Sequence, residues 1–358
     1  MRAKLSWQRL RDNKVFWPLV ALALIMLFNL LFTPGFFRLQ LIDGHLFGNV
    51  IDILNRGSAL MLLAIGMTMV IATGGVDLSV GAVIAISAAT ATVMINPMLA
   101  THLRTASDMT RDMTMTPLPV LILAALGVAV LCGLWNGILV SRLNIQPMVA
   151  TLVLMVAGRG IAQLIVNGTI ITVYYSPYFF IGNGYLLGIP FTVFIVAAVF
   201  LIAWLFTRRT AVGLFVESIG VNSRSTFFSG IGDKNIKLLV YAFCGLCAGI
   251  AGLILSSNVK SADANTVGLY TELDAILAVV IGGTSMSGGR FSLMASMIGA
   301  LVIQATTTTM YALGVPAMAA TAVKALVVLV VILLYSEQFK GWITRLLAKL
   351  VARKEARA

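Results

Sequence analysis

Few residues in this chain are of types that do chemistry, and most stand where water is scarce. Asp77 lies in ATGGVDLSVGA (72–82), alone among almost uncharged sequence. An acid in such a stretch needs a partner or a task. Two tasks fit: capping the first turn of a following helix together with Ser79, or contacting a solute. A second Gly-rich interruption, IGGTSMSGGR (281–290), likewise falls between two apolar runs. Such breaks read either as tight cytoplasmic turns or as the broken helices with which transporters build paths and gates.

Arg159, in VAGRGIAQLI, is the strongly basic group near the middle of an apolar run, and it requires an acid, carbonyls or a route to the interface. Asn136, Gln146, Thr151 and Gln163 add neutral hydrogen-bonding groups nearby. They suit either a hydroxyl-rich solute or bonds between helices. Lys324 has the same ambiguity. Asp263, Asn265, Glu272 and Asp274 cluster around the start of another apolar run. Glu272 and Asp274 are two residues apart and do not share a helix face, so they do not form a catalytic carboxylate pair. Cys244 and Cys247 form a C-x-x-C, but within YAFCGLCAGIAGLIL they read as small residues packing one turn apart. His45 and His102 have no metal-ligand company, so no metal site is assigned. The sequence also lacks a phosphate-cradling G-x-x-x-x-G-K-[ST], an HExxH and a G-x-S-x-G. No catalytic residue is assigned, and the reading is not an enzyme.

The elements that position these residues follow from composition. The 358 residues are 59% hydrophobic and 11% charged, against about one quarter charged in a soluble domain. The missing charge implies a lipid solvent. Apolar runs at 15–33, 53–73, 78–96, 118–140, 147–166, 190–206, 236–257, 272–284, 291–312 and 317–335 predict about ten transmembrane helices. The fold class is all-α integral membrane protein, one transmembrane domain over 1–358. Eighteen of the 25 Lys and Arg fall in the N-terminus, at Arg142, within 207–237, at Arg290 and in the tail. These stretches all lie on one side of the predicted spans, which places both termini in the cytoplasm. That distribution, despite a net charge of +12, excludes nucleic acid as a partner and points to membrane lipid.

Between the sixth and seventh spans, the segment 207–235 mixes glycines with the potentially helical GLFVESIGVNSRSTFF. A short amphipathic helix there would present a rigid knob to a cytosolic partner. The polar, Met- and Thr-rich segment 97–117 is predicted to lie outside, as a variable loop or a docking surface.

Four stretches carry a resemblance: LAIGMTMVIATGGVDLSVGAVIAI (63–86), GLWNGILVSRLNIQPMVATLVLMVAGRGIAQLI (133–165), GLFVESIGVNSRSTFFSGI (213–231) and ELDAILAVVIGGTSMSGGR (272–290). They resemble the permeases of the ribose- and galactose-type sugar ABC importers, and ADANTVGLYTELDAILAVVIGG with the LWNGILV–IQP pair is most similar to the galactofuranose branch. The resemblance implies a type II importer bundle in the bacterial inner membrane. It also implies a second, non-identical permease as heterodimer partner, an ABC ATPase that uses ATP and Mg, and a periplasmic sugar-binding protein. No cofactor is then bound by this chain itself. The substrate path would draw on Asp77, Asn136, Gln146, Thr151, Arg159, Glu272 and Asp274. ATPase coupling would map to Gly213, Glu217, Gly220, Asn222, Arg224 and Gly230. Segment 97–117 departs from the family by its length. An ion-gradient-driven secondary sugar transporter is the alternative, with Asp77 as its titrating acid.

Overall fold

The computed structural model describes residues 14–42, 44–96, 116–316, 319, 322–326 and 329. Most of segment 97–117, the tail and most of the predicted tenth span lie outside these residues. Eleven helices follow in order: α1 Phe16–Phe32, α2 Asn49–Ala72, α3 Val80–Ile95, α4 Leu118–Ser141, α5 Pro147–Ile165, α6 Ser176–Asn183, α7 Phe191–Arg209, α8 Val212–Phe228, α9 Asp233–Val259, α10 Thr271–Ile281 and α11 Leu293–Ala312. Six of them (α2, α4, α5, α7, α9 and α11) are long and apolar enough to cross a membrane, and α1 and α3 are shorter apolar helices.

The helices sort by how much of their surface is covered. Within the most apolar stretch of α2, 83% of residues are buried, against 17% in α7. The apolar core draws on α2, α3, α9 and α11 together with single faces of α4, α5 and α7. The outer helices leave aliphatic and aromatic side chains uncovered, among them Leu123, Val156, Leu201 and Phe206. This inverts the soluble pattern, as expected of a bundle whose outer solvent is hydrocarbon.

Close helix approach comes from small residues. A Cβ on Gly133 would collide with the carbonyl of Tyr241, and one on Gly245 would meet Ala129 O at 2.5 Å, so α4 and α9 cross almost backbone to backbone. Cys244 and Cys247 turn toward α2, where a Cβ on Gly66 would lie 3.0 Å from Cys244 Cα. Both are free and buried, which agrees with packing and not with a redox pair.

Three elements differ from the sequence reading. The predicted span 272–284 is a helix of only 11 residues, or about 16 Å at roughly 1.5 Å per residue, about half the bilayer core. The Gly282–Gly283 pair stops it early, Gly283 having a positive φ of 72°. The second difference is α6, a helix inside the predicted outer loop 167–189, seated on α9 where Ser257 Oγ accepts the Gly182 N–H at 2.8 Å. Third, short antiparallel pairs cap that end: β1 (Gln40–Ile42) with β2 (His45–Phe47), β3 (Ile171–Thr172) with β6 (Ser261–Ala262), and β4 (Tyr185–Leu186) with β5 (Ile189–Pro190). These ladders are two or three residues long, too short to leave a periodic signature.

The α4–α9 crossing is directly testable. Gly133→Val should lower thermal stability in detergent by about 1–3 kcal/mol through overpacking. Gly127→Val, where a Cβ meets nothing within 4 Å, should melt like the parent.

Candidate functional site

The break between α2 and α3 builds the first part of the site. The chain leaves α2 at Ala72, turns through Gly74 at a φ of 80° and re-enters a helix at Val80. Between these points the Asp77 carboxylate organises the turn. Its Oδ1 accepts the Ser79 N–H at 2.9 Å, the Ser79 hydroxyl at 2.6 Å and the Asn136 amide at 3.3 Å. The Asn136 amide also donates to Ser79 Oγ at 2.8 Å. From α5, Thr151 Oγ1 accepts the Leu78 N–H at 3.1 Å, and from α9 the Tyr241 hydroxyl donates to Val76 O at 3.5 Å. Asp77, Asn136 and Thr151 are thus three parts of one enclosed knot joining α4, α5 and the turn. Asp77 is 1% exposed and the other two are fully covered. In this geometry Asp77 fastens the backbone just ahead of α3 by accepting from Ser79, and no side chain caps the first turn of α3.

The remaining path candidates lie elsewhere. Gln146 is exposed at the N-cap of α5, on the wall of a cavity of about 280 Å³ that also touches Gly74, Gly75, Lys237 and Tyr241. Arg159 is met by carbonyls: its Nη1 donates to Ala264 O at 3.0 Å and to Val267 O at 2.6 Å. Beside it Gln163 Nε2 donates to Asn265 Oδ1, so α5 clamps the 264–267 loop. Asp263 folds that loop by accepting the Asn265 N–H and the Thr266 hydroxyl. Glu272 is buried against α3, where a Cβ on Gly81 would collide with its carboxylate. Asp274 pairs with Lys324 at 2.7 Å, which gives that cation its partner.

The second part of the site is α8. The expected amphipathic helix forms over Val212–Phe228 and kinks at Asn222, whose φ of −160° and ψ of 99° are non-helical. Asn222 Oδ1 accepts the Ser225 N–H at 3.0 Å and so restarts the helix after the kink. Gly230, with a φ of 80°, ends the segment, and Ser223 Oγ donates to Asp233 Oδ2 of α9. Gly213 backs onto the carbonyl of Thr207, where a Cβ would not fit. Arg224 is exposed, and so are Leu214, Val221, Phe227 and Phe228.

The inner face of α8 touches both Gly-rich breaks. A Cβ on Gly220 would collide with Ala72 O and with the Gly289 nitrogen. The Gly289 N–H itself donates to Ala72 O at 2.9 Å. A Cβ on Gly288 would lie 2.9 Å from both Gly220 Cα and Gly74 N. The end of α2, the middle of α8 and the 281–290 turn therefore meet main chain to main chain. The sequence shows all three glycine clusters but not their meeting, and it gives no signal for Tyr241. Ser79, singled out with Asp77 in the sequence, is a member of the knot.

By sequence, this bundle falls in a class of transport permeases. The chain belongs to the family described as the branched-chain amino acid transport system permease component, which it matches over residues 49–335. It is 48% identical over 328 residues to the galactofuranose transporter permease protein YtfT of Escherichia coli K12, covering 90% of this chain and 91% of that one. It is 35% identical to the fructose import permease protein FruF of Bifidobacterium longum (98% and 96% covered). It is 33% identical to the ribose import permease protein RbsC of E. coli K12 (88% and 91% covered). No solved structure matches. The chain is a multi-pass bacterial inner-membrane permease subunit, and as such is not itself an enzyme.

Asp77→Ala would leave the Ser79 N–H and the Asn136 amide short of an acceptor. It should cost about 1–3 kcal/mol of stability, read as a lower melting temperature in detergent. Asp77→Asn, which keeps one oxygen, should recover part of that loss.

Proposed function

We propose that this chain is the membrane-spanning permease of an ATP-driven sugar importer, with galactofuranose as the solute. The observation that carries this reading is the main-chain junction of Gly220, Ala72 and Gly289. A surface helix in such contact with both broken segments is built to pass a push from outside the membrane to the interior. The galactofuranose assignment rests on the likeness to the E. coli permease.

In this reading the bundle has ten spans, α10 being half-length and the last running through 317–335, and both termini are cytoplasmic. The whole chain acts as one domain. The placement of Lys and Arg supports that orientation. A periplasmic binding protein delivers the sugar, and an ABC ATPase that uses ATP and Mg closes against α8. A second, non-identical permease completes the path. The exposed apolar edge of α8 (Leu214, Val221, Phe227 and Phe228) and the nearby Arg224 are the groups offered to the ATPase. Glu217, Gly220 and Asn222 convert its motion into movement of the Gly-rich turns, while Gly213 and Gly230 set the ends of the lever. Gln146, on a cavity wall, and Arg159 remain candidates along the path, with Glu272 and Asp274 at the mouth. Asp77, Asn136 and Thr151 keep the broken segment in shape. This chain itself breaks no bond and holds no cofactor.

Extraction of the tagged chain from its host in mild detergent should co-purify a P-loop ATPase and a second permease of different sequence. Uptake of galactofuranose should stop on ATP depletion and survive collapse of proton and sodium gradients. The opposite pattern would establish a secondary transporter. Within the complex, Gly220→Ala and Glu217→Gln should leave insertion intact and raise the ATP hydrolysed per sugar about fivefold or more, the scale of a 1–3 kcal/mol coupling energy. Unchanged stoichiometry in both would remove α8 from the coupling role.

A further inference from the structure

Helix α1 is thinly held along its length. Only Pro18 and Asn29 are buried in it, and Leu24, Leu30 and Leu31 are exposed. Polar contacts fix its two ends. Asn29 Nδ2 donates to Thr309 Oγ1 of α11 at 2.7 Å, and the Thr33 hydroxyl donates to Asn29 Oδ1. At the other end, just ahead of the first turn, Lys14 Nζ donates to Arg290 O at 2.6 Å.

Arg290 closes the second Gly-rich turn, and Glu217 stands three residues before Gly220 on α8. Glu217 and Arg290 line one cavity of about 380 Å³, and Glu217 and Val15 line a neighbouring one of about 570 Å³. The Lys14 ammonium thus bonds the carbonyl that closes the turn, and that turn backs onto α8. Burial holds it below its ordinary pKa, Glu217 pulls the other way, and the Arg290 guanidinium adds to the fall. The main-chain junction at Gly220 reaches α2 and the turn.

We infer that Lys14 is a positioning residue of the transport cycle, tying the start of α1 to the 281–290 turn, which itself backs onto α8. With it in place, the first span follows the turn as α8 moves it. An ammonium suits the post because it is a charged donor facing a main-chain carbonyl. A guanidinium can replace it, and an uncharged stem of the same length cannot. The inference rests on the importer reading for its meaning, but the tether can be measured apart from transport.

Two experiments test it. In the purified complete importer, Lys14→Met should raise the ATP hydrolysed per sugar about fivefold, and Lys14→Arg should restore it to within about twofold. In the detergent-solubilised chain, spin labels at Leu19→Cys and Val221→Cys should report one narrow distance. That distance should broaden with Lys14→Met and stay narrow with Lys14→Arg. Normal coupling in Lys14→Met, failure of Lys14→Arg to rescue, or an unbroadened distance would each overturn the proposal. A wild-type complex that takes up no sugar on ATP would instead overturn the importer reading, leaving the distance measurement to decide the tether.

Discussion

Hydrocarbon offers a peptide group nothing to bond to, so an interrupted helix inside a bilayer survives only if its neighbours supply the missing donors and acceptors. The turn at residues 73–79 faces a like constraint because most of it is buried within the bundle, whose helices are arranged to supply its bonds. Asp77 and Ser79 bond to each other, α4 sends Asn136, α5 sends Thr151 and α9 sends Tyr241. Each of these side chains sits in an otherwise apolar helix and faces inward. The same helices must approach closely enough for short polar side chains to reach, and α4 and α9 do so through Gly133 and Gly245. Small residues at the crossings and polar residues at the break are thus two halves of one requirement.

An enclosed turn held by several bonds, in which only Asn136 Oδ1 among its side-chain atoms goes without a partner, is also a stiff one. Stiffness suits a part that must pass on a displacement without absorbing it. The contacts from α8 to Ala72 and Gly289 contain no long side chain that could yield by changing rotamer. The second break, 281–290, meets the same helix main chain to main chain and follows a helix too short to cross alone. Two Gly-rich turns back onto one surface helix, and the proposed coupling role rests on that arrangement.

The scarce charges are used sparingly and locally. Arg159 spends its donors on the carbonyls of the 264–267 loop, Asp274 is neutralised by Lys324, and Glu272 is packed against α3. Each ties a less regular stretch to a helix.

The sequence by itself determined the class of this protein. Low charge and long apolar runs demand a lipid solvent, and α2, α4, α5, α7, α9 and α11 fall where those runs predict, because hydropathy over some twenty residues is an additive, local property. The two Gly-rich breaks and the helix within 207–235 were legible for the same reason, as local departures from the apolar pattern. Asp77 could be singled out as an acid without nearby charge, and Arg159 as a cation that needed carbonyls or an acid. The half-length of α10, the seating of α6 and the short strand pairs were not legible, since each depends on contacts with residues far along the chain. Only the tertiary structure decided that Asn136, Thr151 and Tyr241 converge on Asp77, and that Gly220 touches Ala72 and Gly289. The physical reason is that one sequence pattern, a small or polar residue in an apolar helix, serves helix crossing, turn repair and solute contact alike, and only the facing partner tells them apart.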